Sequence, residues 1–146
     1  MKKLFAATAL VMATLSASAM EVGVSTVRDS NLNANGVRVT VAAASVANIK
    51  PVLSITHVND QYNRYAVGSE FALVKMGPVA VGATTALAYQ DNTATVAGYG
   101  LTAGVKATLP IAKNVDAVLA TERFAGQDRI GNSNGTVTAL GLNVKF

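Results

Sequence analysis

The side chains able to perform catalysis are few. His57 is the only histidine, and the chain has no cysteine, which excludes disulfides, thiol catalysis and cysteine-based metal sites. A histidine beside a serine and a carboxylate can activate a hydroxyl nucleophile, and Ser69 and Asp60 are the candidates near His57. The three residues follow no spacing motif of such a site. We therefore assign no catalytic residue and interpret His57 as a histidine at the rim of a strand.

Motifs for metals and cofactors do not occur either. One histidine leaves only carboxylate sites for a metal ion, and Asp128 followed by Asn132 is too sparse to replace a D-x-D-x-D-G loop. The run Gly98-Tyr99-Gly100 lies in a strand-like pattern and begins no helix, so it is not a phosphate-binding loop. The sequence predicts neither a metal nor a cofactor.

Charged residues form the second candidate set, because they fall on one face of an alternating pattern, among Gly and Thr. A charge inside a narrow interior is costly unless it is partnered, so we expect pairing. Hairpin pairing would bring Lys106 to Asp116 across the turn at Pro110, and closure of the last strand on the first would bring Lys145 to Glu21. The other three residues would form a second network. The full set is Glu21, Arg38, Glu70, Lys106, Asp116, Glu122 and Lys145.

Short alternating segments position these residues. The chain has about eight such segments, and they contain Val, Thr, Tyr, Leu and Ile, residues that favour strands. The segments are 20–27, 36–46, 51–58, 64–75, 79–90, 98–109, 114–124 and 135–146. Connections rich in Asn, Asp and Gly, which are loop-forming residues, lie at 28–35, 59–63, 91–97 and 125–134.

The remaining connections are tight turns, and all three prolines, Pro51, Pro78 and Pro110, lie at them. Proline is tolerated at strand ends but not within a hydrogen-bonded ladder, so its placement supports the segmentation. An even number of strands puts both chain ends on one side. If the chain is exported into a bacterial envelope, as its amino terminus predicts below, that side would be the periplasm, with the tight turns there and the longer loops facing outward.

The amino terminus predicts export. Two lysines at positions 2 and 3 precede an apolar run through Leu15, and Ala17-Ser18-Ala19 follows, which is the layout of a secretory signal peptide cleaved after Ala19. Residues 20–146 would then form one domain. Without the two lysines the chain has 10 basic and 8 acidic side chains, a balance too even to indicate a nucleic-acid partner.

The composition predicts a membrane protein made of strands. Hydrophobic residues are 51% of the chain and charged residues 14%, yet no apolar stretch after residue 19 could form a spanning helix. Only helices and closed barrels satisfy every backbone polar group in lipid. The predicted fold class is therefore all-β, an antiparallel up-and-down transmembrane β-barrel of about eight strands.

The two faces of the segments leave one structural alternative open. One face carries no acidic or basic residue, and the other carries the charges among Gly, Ala and Thr. A soluble barrel would bury the first face and expose the second. Small residues suit a narrow lumen better than a soluble surface, and Tyr65, Tyr89 and Tyr99 near strand ends suit a membrane interface. We therefore expect the uncharged face to contact lipid.

The last segment ends the chain on an aromatic residue, with Leu140, Leu142, Val144 and Phe146 on one face. It resembles the C-terminal strand of bacterial outer-membrane barrels. With the signal peptide and the strand count, the whole chain is similar to the small OmpX-like and opacity-type proteins. The resemblance implies that these four residues are recognised by the barrel-insertion machinery during biogenesis. Outer-membrane lipid is the other expected partner, and we expect a monomer.

Three functions are compatible with these observations. The leading hypothesis is a non-enzymatic outer-membrane barrel with a structural or interaction role and a lumen filled by side chains. The alternative is a narrow porin-like channel for small solutes or ions, indicated by the charged, glycine-rich face. An enzyme that modifies envelope lipids through His57 is the least favoured.

Overall fold

The computed structural model describes residues 20–93, 95–127 and 134–146. The predicted signal peptide, residues 1–19, lies outside the described residues. In the described part of the chain, no helix is long and apolar enough to cross a membrane. The strands are β1 (Glu21–Asp29), β2 (Ala34–Ala42), β3 (Ile49–Val58), β4 (Tyr62–Met76), β5 (Val79–Asn92), β6 (Gly98–Ala112), β7 (Val115–Gly126) and β8 (Asn134–Lys145).

The strands close into a barrel. Each strand pairs with its sequence neighbours in antiparallel orientation, and β8 pairs with β1, so no sheet edge is left open. Following register partners once around the barrel from Tyr99 through Val24 ends at Leu109, ten residues further along the same strand. Eight strands with this stagger tilt by roughly 40° from the barrel axis. The predicted fold class is confirmed.

The two ends of the barrel differ in their connections. At the turn end, short connections at 43–48, 77–78 and 113–114 join the strands. The two chain ends meet there, because the Phe146 backbone N–H donates to the Met20 carbonyl at 2.9 Å. The opposite end, the loop end, carries the connections 30–33 and 59–61, the end of β5, the start of β6, the end of β7 and the start of β8.

Two tight turns are explained by backbone conformation. Ala47 and Asn48 both have positive φ, 50° and 67°, which is the conformation of the central residues of a type I′ hairpin turn. In the β4–β5 turn, Gly77 has a φ of 59°, which glycine adopts without the steric penalty of a Cβ atom. The sequence therefore favours tight connections at the turn end.

The face with the charges and glycines lines the interior. Arg38 and Asp116 are 5% and 3% exposed. In contrast, Leu101, Leu119 and Leu140 project outward with exposed fractions of 61%, 53% and 62%. A soluble barrel would bury its leucines, so the structure decides between the two interpretations of the alternating pattern. The apolar face is the outer one.

The strands depart from the predicted segments mainly at the turn end. β2 ends at Ala42 because residues 43–48 form the connection, and β3 begins at Ile49, which places Lys50 inside a strand. β4 and β6 are each 15 residues long and run past their predicted ends at 75 and 109. A register irregularity in each strand, near residues 73 and 111, lets the pairing continue past a local mismatch.

The prediction that the outward face carries no basic residue is wrong near the loop end. Arg28 and Arg123 are exposed on this face, in alternation with Thr26 and Thr121. Both arginines lie within the last four residues of their strands. The apolar part of the outward face therefore stops short of the loop end.

Candidate functional site in the barrel lumen

In the described part of the chain, eight charged side chains form four ion pairs inside the barrel, at successive levels toward the turn end. The pairs are Arg38 Nη1 to Glu122 Oε2 at 2.9 Å, Lys106 Nζ to Glu70 Oε2 at 2.6 Å, Lys50 Nζ to Glu21 Oε1 at 2.9 Å and Lys145 Nζ to Asp116 Oδ2 at 2.6 Å. Each of the seven charged residues selected from the sequence belongs to one of these pairs. Lys50, which the sequence analysis assigned to a turn, is the eighth member.

Of the two pairings expected from the sequence, Lys106 with Asp116 is wrong, and Lys145 lies beside Glu21 as expected but forms no ion pair with it. Asp116 lies opposite Pro110, four residues along β6 from Lys106, which is a separation of about 13 Å. Lys145 is the register partner of Glu21, yet its ammonium group bonds to Asp116, a diagonal neighbour on β7. Register identifies which backbones are adjacent. Long side chains inside a barrel converge on the axis and reach diagonal or more distant strands.

Gly82 explains why Lys106 reaches Glu70. The two charged residues lie on β6 and β4, separated by β5, where Gly82 is the register partner of Lys106. A Cβ atom at Gly82 would lie 3.5 Å from Glu70 Cγ and 2.9 Å from the Phe71 carbonyl oxygen. A larger residue at this position would occupy the space through which the pair forms. The glycine therefore permits an ion pair across an intervening strand.

The Arg38–Glu122 pair crosses the lumen between β2 and β7, which are three strands apart. Arg38 also donates from Nε to the Thr56 hydroxyl at 2.9 Å. The sequence predicts one network of Arg38, Glu70 and Glu122. The structure contains only the Arg38–Glu122 part of it, because Glu70 pairs with Lys106.

Arg64 and two aromatic rings close the lumen near the loop end. The guanidinium carbon of Arg64 lies 4.7 Å from the ring centroid of Tyr62 and 4.2 Å from that of Phe124. Arg64 is only 2% exposed. Nε and Nη2 donate to Gln90 Oε1 at 3.0 and 2.6 Å, and Nη1 has no hydrogen-bond partner among the described residues. Ring faces and an amide therefore hold this cation. We call Tyr62, Arg64, Gln90 and Phe124 the Arg64 plug.

Asp29 connects the Arg64 plug to the first loop. Its fully buried carboxylate accepts a hydrogen bond from the Tyr62 hydroxyl at 2.8 Å. It also accepts bonds from the backbone N–H groups of Asn31 and Leu32, at 3.0 and 3.1 Å. Three donors stabilise the buried carboxylate. The connection 30–33 is thereby fixed against the plug.

A cavity of about 60 Å³ lies within the polar lumen. Its lining includes Ser25, Thr40 and Thr84 together with the Arg38–Glu122 and Lys106–Glu70 pairs. A space of this size holds a few water molecules. It is far smaller than the lumen of a barrel with an aqueous channel.

The candidate catalytic residues are not assembled into a site. His57 is exposed on the outward face, and its Nδ1 lies 2.8 Å from Asn63 Oδ1. Ser69 lies six residues further along β4 than Asn63, about 20 Å away, and Asp60 is exposed in the connection 59–61. In the described ranges, no group of three or more His, Cys, Asp and Glu residues could hold a metal ion.

The four C-terminal residues that the sequence analysis selected lie on one strip. Leu140, Leu142 and Val144 are exposed on the outward face of β8, and Phe146 follows the strand with 77% exposure. The strip runs to the turn end. It is continuous with the apolar outer face of the barrel.

Sequence reasoning missed the Arg64 plug, although the alternation contained a signal for it. Arg64 is in phase with Glu70 on β4, and Phe124 is in phase with Glu122 on β7. A large ring and a guanidinium group on the face that also carries the charges could have been assigned to the lumen together. Their mutual contact depends on the barrel register.

A closed eight-stranded antiparallel barrel with charges inside and apolar side chains outside has the architecture of a transmembrane β-barrel. The N-terminal β-barrel domain of Pseudomonas aeruginosa OprF shares it, with a TM-score of 0.70 and 14% identity over 88% of this chain and 97% of that chain. A de novo designed transmembrane β-barrel gives a TM-score of 0.64 and 15% identity over 88% and 95% of the two chains.

Neisserial surface protein A has a TM-score of 0.61 and 14% identity, over 88% of this chain and 96% of that chain. The chain matches no protein-family model and no curated protein. The fold expected from the resemblance to small outer-membrane barrels is confirmed. At these identities the similarity concerns the fold alone.

Proposed function

We propose that this chain is an integral β-barrel protein of a bacterial outer membrane, with a structural or interaction role and a lumen filled by its own side chains. The main observation in support is that a large apolar side chain projects outward from every strand. One such residue per strand, each at least 41% exposed, is Val24, Val39, Ile55, Val67, Leu87, Leu101, Leu119 and Leu140. Water would meet an apolar belt around the whole barrel, whereas lipid covers it favourably.

A row of tyrosines supports this placement in a membrane. Tyr65, Tyr89 and Tyr99 are register partners on β4, β5 and β6, on the outward face toward the loop end. The rings of Tyr89 and Tyr99 have their centroids 5.1 Å apart. Tyrosine prefers the membrane–water interface, because its ring is apolar and its hydroxyl is polar. The row therefore marks the membrane boundary at the loop end.

The proposal includes the export of the chain and its insertion into the membrane. The signal peptide is cleaved after Ala19, residues 20–146 form the barrel, and the turn end faces the periplasm. The barrel-insertion machinery contacts the outward strip of β8 that ends at Phe146. The inserted protein is a monomer surrounded by outer-membrane lipid, and it needs no cofactor or nucleic acid. The scattered positions of His57 and Ser69 support a non-enzymatic role.

Cell fractionation tests the proposal directly. We expect the protein to sediment with outer membranes and to migrate differently on gels before and after boiling in detergent, because a closed barrel resists unfolding until heated. The comparison of boiled and unboiled samples needs no assumption about function. Recovery as a soluble periplasmic monomer would contradict the proposal.

A narrow channel is the second candidate function, favoured by the charged lumen and its cavity of about 60 Å³. The Arg64 plug opposes this function, since its ring and guanidinium groups fill the loop end. In planar-bilayer recordings we expect no conductance steps from the wild-type protein. Steps that change in Lys106→Ala or Glu70→Ala variants would show instead that the lumen conducts.

A further inference from the structure

Two basic side chains on the outside of the barrel are not explained by the fold. Arg28 on β1 is the register partner of Thr138, and Arg123 on β7 is the register partner of Thr136. The two arginines therefore flank β8, and strand spacing places their Cα atoms about 12 Å apart. Both side chains are exposed on the outward face.

Neither arginine has an acidic partner among the described residues. In the lumen, by contrast, Arg38 and the three lysines of the ion pairs each bond to a carboxylate. The Arg28 guanidinium donates to the side-chain oxygen of Asn33, a neutral group in the adjacent loop. Among the described residues, these two neighbouring guanidinium groups on the outer surface are therefore not paired with a carboxylate.

Both arginines lie at the level of the membrane boundary. The row of register partners that includes Ala117, Val24 and Tyr65 rises by ten residues over eight strands. Arg123 lies six residues beyond Ala117, and Arg28 four residues beyond Val24, both toward the loop end. The row itself climbs toward the loop end on its way from β7 and β1 to β4, and this climb matches those six and four residues. Along the barrel axis, both arginines are therefore within about one residue of the level of Tyr65. Lipid headgroups lie at this depth.

We propose that Arg28 and Arg123 form a binding site for the phosphate group of a lipid headgroup in the leaflet at the loop end. This inference rests on the proposed membrane location. A planar guanidinium group donates two parallel hydrogen bonds to phosphate oxygens, which a lysine cannot reproduce. Side chains of this length let both arginines contact one phosphate or the two phosphates of a doubly charged headgroup.

A groove beside Arg28 favours a lipid over a soluble phosphate. Its lining includes Thr26, Gly36, Thr138 and Leu140. Leu140, which is exposed on the outward face, connects the groove to the apolar outer surface. The surface therefore offers a cationic group at the boundary and an apolar path for an acyl chain directly beside it.

Native mass spectrometry of the folded barrel in a neutral detergent tests the site. The probe is phosphatidic acid, compared with diacylglycerol of the same acyl chains and with excess inorganic phosphate. We expect the wild type to retain phosphatidic acid but not diacylglycerol. The Arg28→Gln/Arg123→Gln variant should have a dissociation constant for phosphatidic acid about 30-fold higher than that of the wild type. Each arginine near the membrane surface adds a similar free energy to the binding of an anionic lipid, and the variant loses both contributions.

The Lys75→Gln/Lys113→Gln variant is the matched control, since it removes two exposed positive charges from the turn end. It should bind phosphatidic acid as the wild type does, and inorganic phosphate should not displace the lipid. Equal loss in both variants, equal retention of diacylglycerol or displacement by inorganic phosphate would overturn the site. Gel mobility of boiled and unboiled samples separates this failure from failure of the membrane proposal. If the membrane proposal fails, the boiled and unboiled samples have the same mobility.

Discussion

Replacing Phe124 by alanine is expected to lower the free energy of unfolding by about 3–5 kcal/mol, the range for deleting a fully buried phenylalanine ring. Phe124 has no exposed surface, and its ring covers the Arg64 guanidinium at 4.2 Å. The substitution leaves a void beside a buried cation whose Nη1 already has no hydrogen-bond partner in the described part of the chain. Urea unfolding in lipid vesicles, with the folded fraction taken from unboiled gels, measures the change.

Phe124→Leu is the control, because it preserves most of the apolar volume. It should cost about 2 kcal/mol, the value of the lost contact between the aromatic face and the guanidinium group. The difference between the two variants separates the void from the loss of the aromatic face. If Phe124→Ala unfolds at the same urea concentration as the wild type, Phe124 does not support the closure of the lumen. A double-mutant cycle with Arg64→Met should then show no coupling, whereas a desolvated cation–π contact gives about 2 kcal/mol.

Placing a lysine at Leu140 is expected to lower the free energy of unfolding in a bilayer by about 2–4 kcal/mol, the cost of a basic residue near the membrane midplane. Leu140 is 62% exposed on the outward face. It lies midway along β8, six residues from Asn134 and six from Phe146. The ammonium group must therefore be buried in hydrocarbon or drawn toward a distant interface. Unfolding in lipid vesicles gives the magnitude.

Ala125→Lys is the matched control for the position along the membrane normal. Ala125 is also exposed and outward, but it lies one residue from the end of β7 at the loop end. A lysine there can reach the headgroups and should cost about 0–1 kcal/mol. Equal costs at the two positions would contradict lipid contact at Leu140. A soluble barrel would give equal costs at the two positions, since both side chains would then face water.

Much of the fold follows from the sequence because its evidence is local. The alternation in residues such as Leu140, Leu142 and Val144 repeats every two residues, which is the period of a strand. Asn, Asp and Gly mark the loops, and Pro51, Pro78 and Pro110 mark the tight connections, because these residues act on their own backbone. Strand number and the separation of the two faces therefore needed no tertiary information.

The tertiary structure alone decided which side chains meet. Lys106 pairs with Glu70 and not with Asp116, because Gly82 leaves space across β5 and because Asp116 lies four residues further along β6. Arg64 meets Phe124 for a similar reason, since β4 and β7 approach each other only across the closed lumen.

Alternation assigns a residue to a face, whereas a contact inside a barrel depends on the stagger of ten residues around eight strands. That stagger is a property of the closed sheet and of no single segment. The sequence by itself determined a strand-built chain with one charged and one apolar face. Closure and register decided that the charges pair inside, that Arg64 closes the loop end and that Arg28 and Arg123 lie together outside.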